Sequence, residues 1–501
     1  MSQRFQLKPR KLTLTMKPIF PSLISLCSSL GLILPCYAQS ISYSEAEQSI
    51  LTQSYSTQAA QALQQSAQLQ AKAVKGLGLP RVDLNVRAYA FHNEVDVPLN
   101  SLKNNLDNTL TQGVNNQIDQ WQNTSGIPSG VTDTLKDGVG NVIDRGIGLI
   151  PNEATLNLDD QVVRPTVSVF MPIYTGGLTS SAKQMAQIQS ERSVINNKQQ
   201  QDLQRFEIIQ AYFNTQLQQQ LLASSRFNFQ AMQNHYQNAL KLEQQGFISK
   251  GQRMQFEVAK NNADRVMQNA QANLRASLFQ LNNLLQSSQV TELSTPLFVN
   301  TAHSQSINQL LASYPEQSSL VQKLQKDTEL AKVKVKAESA AEKPTVFAFG
   351  EYSLDEHQNW IVGVAARYNL FSGIDKQKNV QAAELQRYAL ELTTQRTKQE
   401  IENVIYKSYS ELEIAQQSHV LLQQNMQAAQ ENLRIQMLSF KEDMGTASQV
   451  IDAQNAMTAL KSEMALNAYK YVMSLATLLQ SHGSIAEFQS YVNQKNTQYI
   501  R

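Results

Sequence analysis

Two long stretches of this chain repeat apolar residues at helical spacing and contain no proline. None lies between Pro172 and Pro296, and none follows Pro344. Both stretches are rich in Gln, Ala, Leu, Glu and Lys, which lose little side-chain freedom in a helix. In the first, Leu203, Phe206, Ile209, Phe213, Leu217 and Leu221 fall on one helical face; Ile401, Ile405, Leu412 and Leu422 do so in the second. The spacing predicts helices over about 179–245 and 251–285, then over about 375–441 and 447–480. At 1.5 Å per residue the longer member of each pair spans about 100 Å. That is the length of a coiled coil, not of an ordinary globular helix.

Just before each long helix the period changes to two. Val82, Leu84, Val86 and Ala88 alternate with Asp83, Asn85, Arg87 and Tyr89, and Val167, Val169, Met171 and Ile173 with Thr166, Ser168, Phe170 and Pro172. A second pair covers 345–354, where the alternation is weaker, and 360–367, where Trp360, Val362, Val364 and Ala366 alternate with Ile361, Gly363, Ala365 and Arg367. Strands of about ten residues with weak alternation carry the signature of tilted membrane strands. Either pair alone reads equally as a half-buried hairpin; two pairs, each feeding a very long helix, favour the membrane.

The chain is also an internal repeat. Each half opens with an amphipathic helix (about 44–75, then 306–337) and passes through Pro80 or Pro344 into its strand pair. Each leaves through Tyr174-Thr175-Gly176-Gly177 or Phe371-Ser372-Gly373, and turns near Gly246 or Gly445 into a shorter returning helix. This divides the chain into a first repeat over 39–295, a second over 296–485 and a C-terminal tail over 486–501. The segment 92–161, with Gly-Ile-Pro-Ser-Gly at 126–130, has no counterpart in the second repeat and reads as a long extracellular loop.

The N-terminus changes the compartment. Arg4, Lys8, Arg10, Lys11 and Lys17 precede an apolar run from Ile19 to Leu34, and Cys36-Tyr37-Ala38 offers small residues at a cleavage site. That is a secretory signal over 1–38. Cys36 is a conceivable lipidation site, but Leu34-Pro35 before it suits that signal poorly. Both cysteines, Cys27 and Cys36, lie in the signal, so the exported chain is expected to carry no thiol. Removing five basic residues from a net charge of +2 leaves about −3, which argues against nucleic acid as a partner. No later stretch reaches the ~18 apolar residues of a spanning helix, so any span of the bilayer would have to be a closed barrel.

No catalytic motif is present, and His92, His235 and His419 are scattered, so neither enzyme activity, metal nor cofactor is expected. A periplasmic coiled-coil adaptor bridging two membranes is the competing reading of such long helices. Adaptors, however, have one helical hairpin flanked by β-rich domains and not two strand pairs feeding helices.

Six segments in register resemble the TolC-like outer-membrane efflux and secretion channels. They are Gly78-Leu79-Pro80-Arg81-Val82-Asp83-Leu84, Met171-Pro172-Ile173-Tyr174-Thr175-Gly176-Gly177, Tyr368-Asn369-Leu370-Phe371-Ser372-Gly373, Val450-Ile451-Asp452-Ala453-Gln454, Ala468-Tyr469-Lys470-Tyr471 and Leu478-Leu479. The resemblance covers about 44–483. It implies an α+β membrane protein: a homotrimer in outer-membrane lipid, with four strands per chain in one 12-stranded β-barrel, continued by a long α-helical periplasmic barrel. Its implied role is the exit duct of tripartite efflux or type I secretion. It would act with a periplasmic adaptor and an inner-membrane pump, ABC or proton-driven, that selects the cargo. Strand number alone agrees, since four strands cannot close a barrel.

The resemblance also places sites. Asp452 falls where relatives carry an aspartate ring at the periplasmic aperture, and Gln449 where many carry a second. Asp452 taken alone reads as a solvated helix position. The best-known member of that family latches its closed tip with a tyrosine and an arginine, but the matching positions here are Phe440 and Gly445. Closure is therefore expected to rest on another latch, with Lys250, Arg253, Glu442 and Asp443 as candidates, or on helix packing. The turns Gly246-Phe247-Ile248-Ser249 and Met444-Gly445-Thr446 are the implied docking points of the adaptor.

Overall fold

The computed structural model describes residues 39–90, 110, 118, 161–287, 290–301, 305–355, 358–371, 373–442 and 444–500. The signal segment lies outside these residues, as does the 92–161 loop apart from residues 110, 118 and 161. Short strand β1 (Gln39–Ile41) leads into helices α1 (Tyr43–Gln53) and α2 (Tyr55–Ala73), then strands β2 (Arg81–Ala90) and β3 (Gln161–Tyr174). The 67-residue α3 (Leu178–Gln244) and the returning α4 (Lys250–Leu284) come next. After β4 (Val290–Leu293) and β5 (Leu297–Asn300) the order repeats as α5 (Ile307–Gln317), α6 (Ser319–Ala340), β6 (Thr345–Ser353), β7 (Trp360–Arg367), α7 (Lys376–Lys441) and α8 (Ala447–His482). The chain closes with α9 (Phe488–Val492) and β8 (Thr497–Ile500).

The duplication reaches down to the helix caps. Capping boxes start the same helices in both repeats: Ser42 with Glu45 and Ser306 with Gln309, then Ser249 with Gln252 and Thr446 with Gln449. Each satisfies backbone N–H groups that the first turn leaves unpaired. The structure corrects one expectation. The helices predicted over 44–75 and 306–337 are each broken after 11 residues, at Ser54 and Ser318. Ser54 is extended and its hydroxyl accepts from the Thr57 N–H, a local alternative to the helical bond. In the second repeat Pro315 removes a backbone donor just before the break.

Below the strands an aromatic knot forms the waist of the molecule. Tyr43, Tyr212, Phe213, Phe298 and Phe488 are fully buried, and the Phe213 ring lies 5.8 Å from both Phe298 and Phe488. The Tyr212 hydroxyl donates to the Ile41 carbonyl and accepts from the Thr295 N–H, both at 2.9 Å, and so ties β1 to the segment after β4. Here β1 pairs with β4 in parallel and β5 with β8 antiparallel. Residues 486–501, read from sequence as a tail, are therefore folded through residue 500. Phe488 and Val492 enter the knot, and β8 is held by Asn300, whose side chain donates to the Tyr491 carbonyl at 3.0 Å and accepts from the Thr497 hydroxyl at 2.7 Å.

His482 seals the adjoining corner. It is buried, with Nε2 2.8 Å from the Ser313 hydroxyl and Nδ1 2.9 Å from that of Ser484. Burial holds its pKa below the ordinary 6.5, partly opposed by the charge of Glu487. The unfolded chain then binds the proton more readily, so this corner's stability is whole above about pH 6.5 and declines as pH falls toward the lowered value. Thermal unfolding followed by circular dichroism should show a midpoint that drops on acidification below about pH 6.5, and less steeply in His482→Gln.

Candidate functional site

Four strands form one antiparallel sheet in the order β2-β3-β6-β7. Directly paired residues share a face, and the pairs Leu84 with Val167, Val82 with Val169, Gly350 with Val362, Ala348 with Val364 and Tyr352 with Trp360 make one face wholly apolar. It is also bare: Leu84 is 67% and Val362 73% exposed. The opposite face is polar and internally paired. Arg81 meets Asp83 at 2.8 Å, Arg87 meets Glu351 at 3.6 Å, and Asn85 donates to the Ser168 hydroxyl at 3.0 Å. Nearer the helices this second face is aromatic, with Phe170 and Phe347 rings 5.2 Å apart and the Phe349 ring lying over Gly363. Apolar outside and polar inside is the arrangement of a barrel wall in lipid. Among the described residues the outer edges of β2 and β7 have no strand partner.

The far end of the long helices is a compact tip. Phe256 is buried among Ala239, Ala447 and Val450, and packs edge-on against Phe440 with ring centroids 5.5 Å apart. The two hairpins are thus joined at the tip by apolar contact. Arg253, one of the latch candidates, is engaged within its own hairpin by Glu243 at 3.1 Å and by Glu257. Lys250 opens α4, Glu442 caps α7, and Asp443 lies outside the described residues.

Both turns of the implied docking region project their apolar members, Phe247 and Met444, into solvent, while Ile248 packs beside Phe256. Gly246 needs its left-handed φ of 78°. Gly445 does not; it is small because its Cα sits against the backbone of Ser439 and Phe440. Ser249 and Thr446 are the helix N-caps. Gln449, expected from the resemblance near the aperture, is a capping-box residue whose side-chain oxygen accepts from the Thr446 N–H at 2.7 Å. Asp452 is exposed, with the Ser448 hydroxyl 3.4 Å from its carboxylate. Beside it α4 and α8 enclose a groove of about 550 Å³ lined by Met254, Val258, Ile451 and Asn455 among others.

No protein-family model and no curated protein matches this sequence. Solved structures do. The channel-forming protein CusC aligns with a TM-score of 0.69 at 13% identity, over 88% of this chain and 92% of its own. The outer-membrane protein VceC of Vibrio cholerae gives 0.67 at 13% over 88% and 96%. The MtrE outer-membrane channel of Neisseria gonorrhoeae, in its open state, gives 0.65 at 14% over 88% and 88%. The chain has the outer-membrane channel fold. At these identities the likeness is one of fold.

Several parts of this channel fold carried little signal in the sequence. The waist aromatics are scattered from Tyr43 to Phe488 and meet only in space. The groove between α4 and α8 is visible in sequence only as the helical recurrence of Met254 and Val258. No helix among the described residues is long and apolar enough to cross a membrane, and no cluster of metal-binding side chains occurs among them.

Proposed function

We propose that three copies of this chain close a 12-stranded barrel in the outer membrane and join their helices into a periplasmic tunnel. The assembly would be the passive exit duct of a tripartite efflux or type I secretion system. The observation that carries this reading is the sheet: one face wholly apolar and exposed, the other bearing the ion pairs and, nearer the helices, aromatic rings, with both edges open among the described residues. An open edge in lipid leaves backbone groups unpaired at several kcal/mol each, and pairing β7 of one copy with β2 of the next removes every edge. The similarity in fold to outer-membrane channels supports the same conclusion.

Within this reading the tip is the gate. Phe440 packs on Phe256 in place of a polar latch, so opening has to separate apolar surfaces. Asp452 would stand in the aperture, one carboxylate per copy, with Gln449 occupied by its cap. Three carboxylates at a constriction raise local cation concentration. An adaptor would dock at Gly246–Ser249 and Met444–Thr446, and energy would come from an inner-membrane pump.

The test is single-channel conductance in a planar bilayer, with the purified protein beside Asp452→Ala. A small cation-preferring conductance that loses its preference in the variant is expected. An unchanged preference would move the aperture away from Asp452, and absence of conductance from folded protein would remove the duct.

A further inference from the structure

The two repeats correspond residue by residue along their helices. Ser42, Ser54 and Pro80 stand at one constant spacing from Ser306, Ser318 and Pro344, and Ser249 and Gln252 at another from Thr446 and Gln449. Five pairs of buried positions obey these spacings. Ala46, Ile50 and Thr57 match Leu310, Tyr314 and Val321, and Ile208 and Thr215 match Ile405 and Leu412; all ten are buried.

One face breaks the correspondence. On α3, Ile188 is 5% exposed because α6 packs beside it, bringing up Val333, itself 2% exposed. The residue matching Ile188 is Leu385 on α7, 69% exposed, and the one matching Val333 is Leu69 on α2, 64% exposed. The charged residues of the α3–α6 seam have also been exchanged. There Lys326 pairs with Glu191 at 2.9 Å and Arg192 with Asp327 at 2.6 Å. Their matches are Tyr388 and Ala389 on α7, and Ala62 and Leu63 on α2, with Tyr388 and Leu63 both exposed.

The helices lie side by side as α2, α3, α6, α7, the same order as β2, β3, β6, β7 above them. The next helix beyond α7 in this order is therefore another α2, and in one chain it is absent. We infer that α7 docks on α2 of a second copy, burying Leu385 and Tyr388 against Leu69 and Leu63, so that the seam between copies is apolar where the matching seam within a chain is ionic. This rests on the trimer proposed above and goes further by assigning the register and chemistry of its helical joint. Large apolar residues at helical spacing on a water-facing helix mark an interface. An apolar joint, unlike an ionic one, is not weakened by salt. Leu392, also exposed, extends the α7 stripe one heptad further.

The test uses the full chain, with Cys27 and Cys36 changed to Ser, purified in detergent and treated with a short bismaleimide. Leu69→Cys combined with Leu385→Cys should give covalent dimers and trimers on a denaturing gel, and neither single variant should. Ile188→Cys with Val333→Cys, the within-chain counterpart, should stay at monomer size on the gel while gaining the mass of one bridging reagent per chain by mass spectrometry, and so calibrates the reagent. Protein of trimer mass by light scattering that fails to link at 69 and 385, while the calibrating pair links, overturns the seam and leaves the trimer intact. Protein of monomer mass with native circular dichroism overturns the trimer itself and the seam with it.

Discussion

Leu84→Arg should all but abolish assembled protein in the outer membrane, while Asn85→Arg, one residue away, should be tolerated. Leu84 lies mid-strand on the bare apolar face, paired with Val167, and its neighbour points to the polar face, where it bonds Ser168. A guanidinium on the lipid side of a barrel near the bilayer midplane costs about 2–4 kcal/mol, and every copy in the assembly carries it. On the inner face the same group meets water and the carboxylates of Asp83 and Glu351. The measurement is the yield of detergent-extracted oligomer from outer-membrane fractions. Equal losses in the two variants would mean that the sheet does not separate lipid from water.

Phe213→Ala should lower stability by about 3–5 kcal/mol, the range for emptying a buried phenylalanine site. The Phe213 ring contacts Tyr43, Tyr212, Phe298 and Phe488, which come from four separate parts of the chain. A cavity there loosens the strand β5–β8 pair and the first helix together, so collapse around it is limited. The loss should appear as a lower thermal midpoint with helix content unchanged at low temperature. Phe206→Ala, about two helical turns closer to the strands and only partly buried, should cost clearly less. Equal midpoints for the two variants would refute the waist as the stability centre.

The part of the fold legible in the sequence came from periodicity. The helices α3, α4, α7 and α8 lie within about two residues of where proline placement and the 3.6-residue spacing put them, and β2, β6 and β7 end within about one residue. Those signals are local, since an unbroken helix or a lipid-facing strand writes its pattern on consecutive residues. The breaks at Ser54 and Ser318 were not legible, because a serine inside an amphipathic pattern is as common mid-helix as at a cap. The folded C-terminus was missed for a related reason: Phe488 and Val492 are isolated apolar residues, and β8 is too short to show alternation.

At the site, the sequence by itself determined the inventory. It shows Asp452 after a turn, Phe440 shortly before that turn, and glycines at both turns. It could not say that Gln449 turns back to cap its own helix, nor that Arg253 is taken up by Glu243 and Glu257. Those outcomes depend on which side chains the hairpins bring within reach. The order α2, α3, α6, α7 is likewise a tertiary result. It arises because strand pairing sets the helices beneath it in register, and it leaves Leu385 and Tyr388 bare on a helix whose duplicate is covered. Local pattern chose the elements; long-range packing, which couples residues hundreds of positions apart, decided which of their faces remain open.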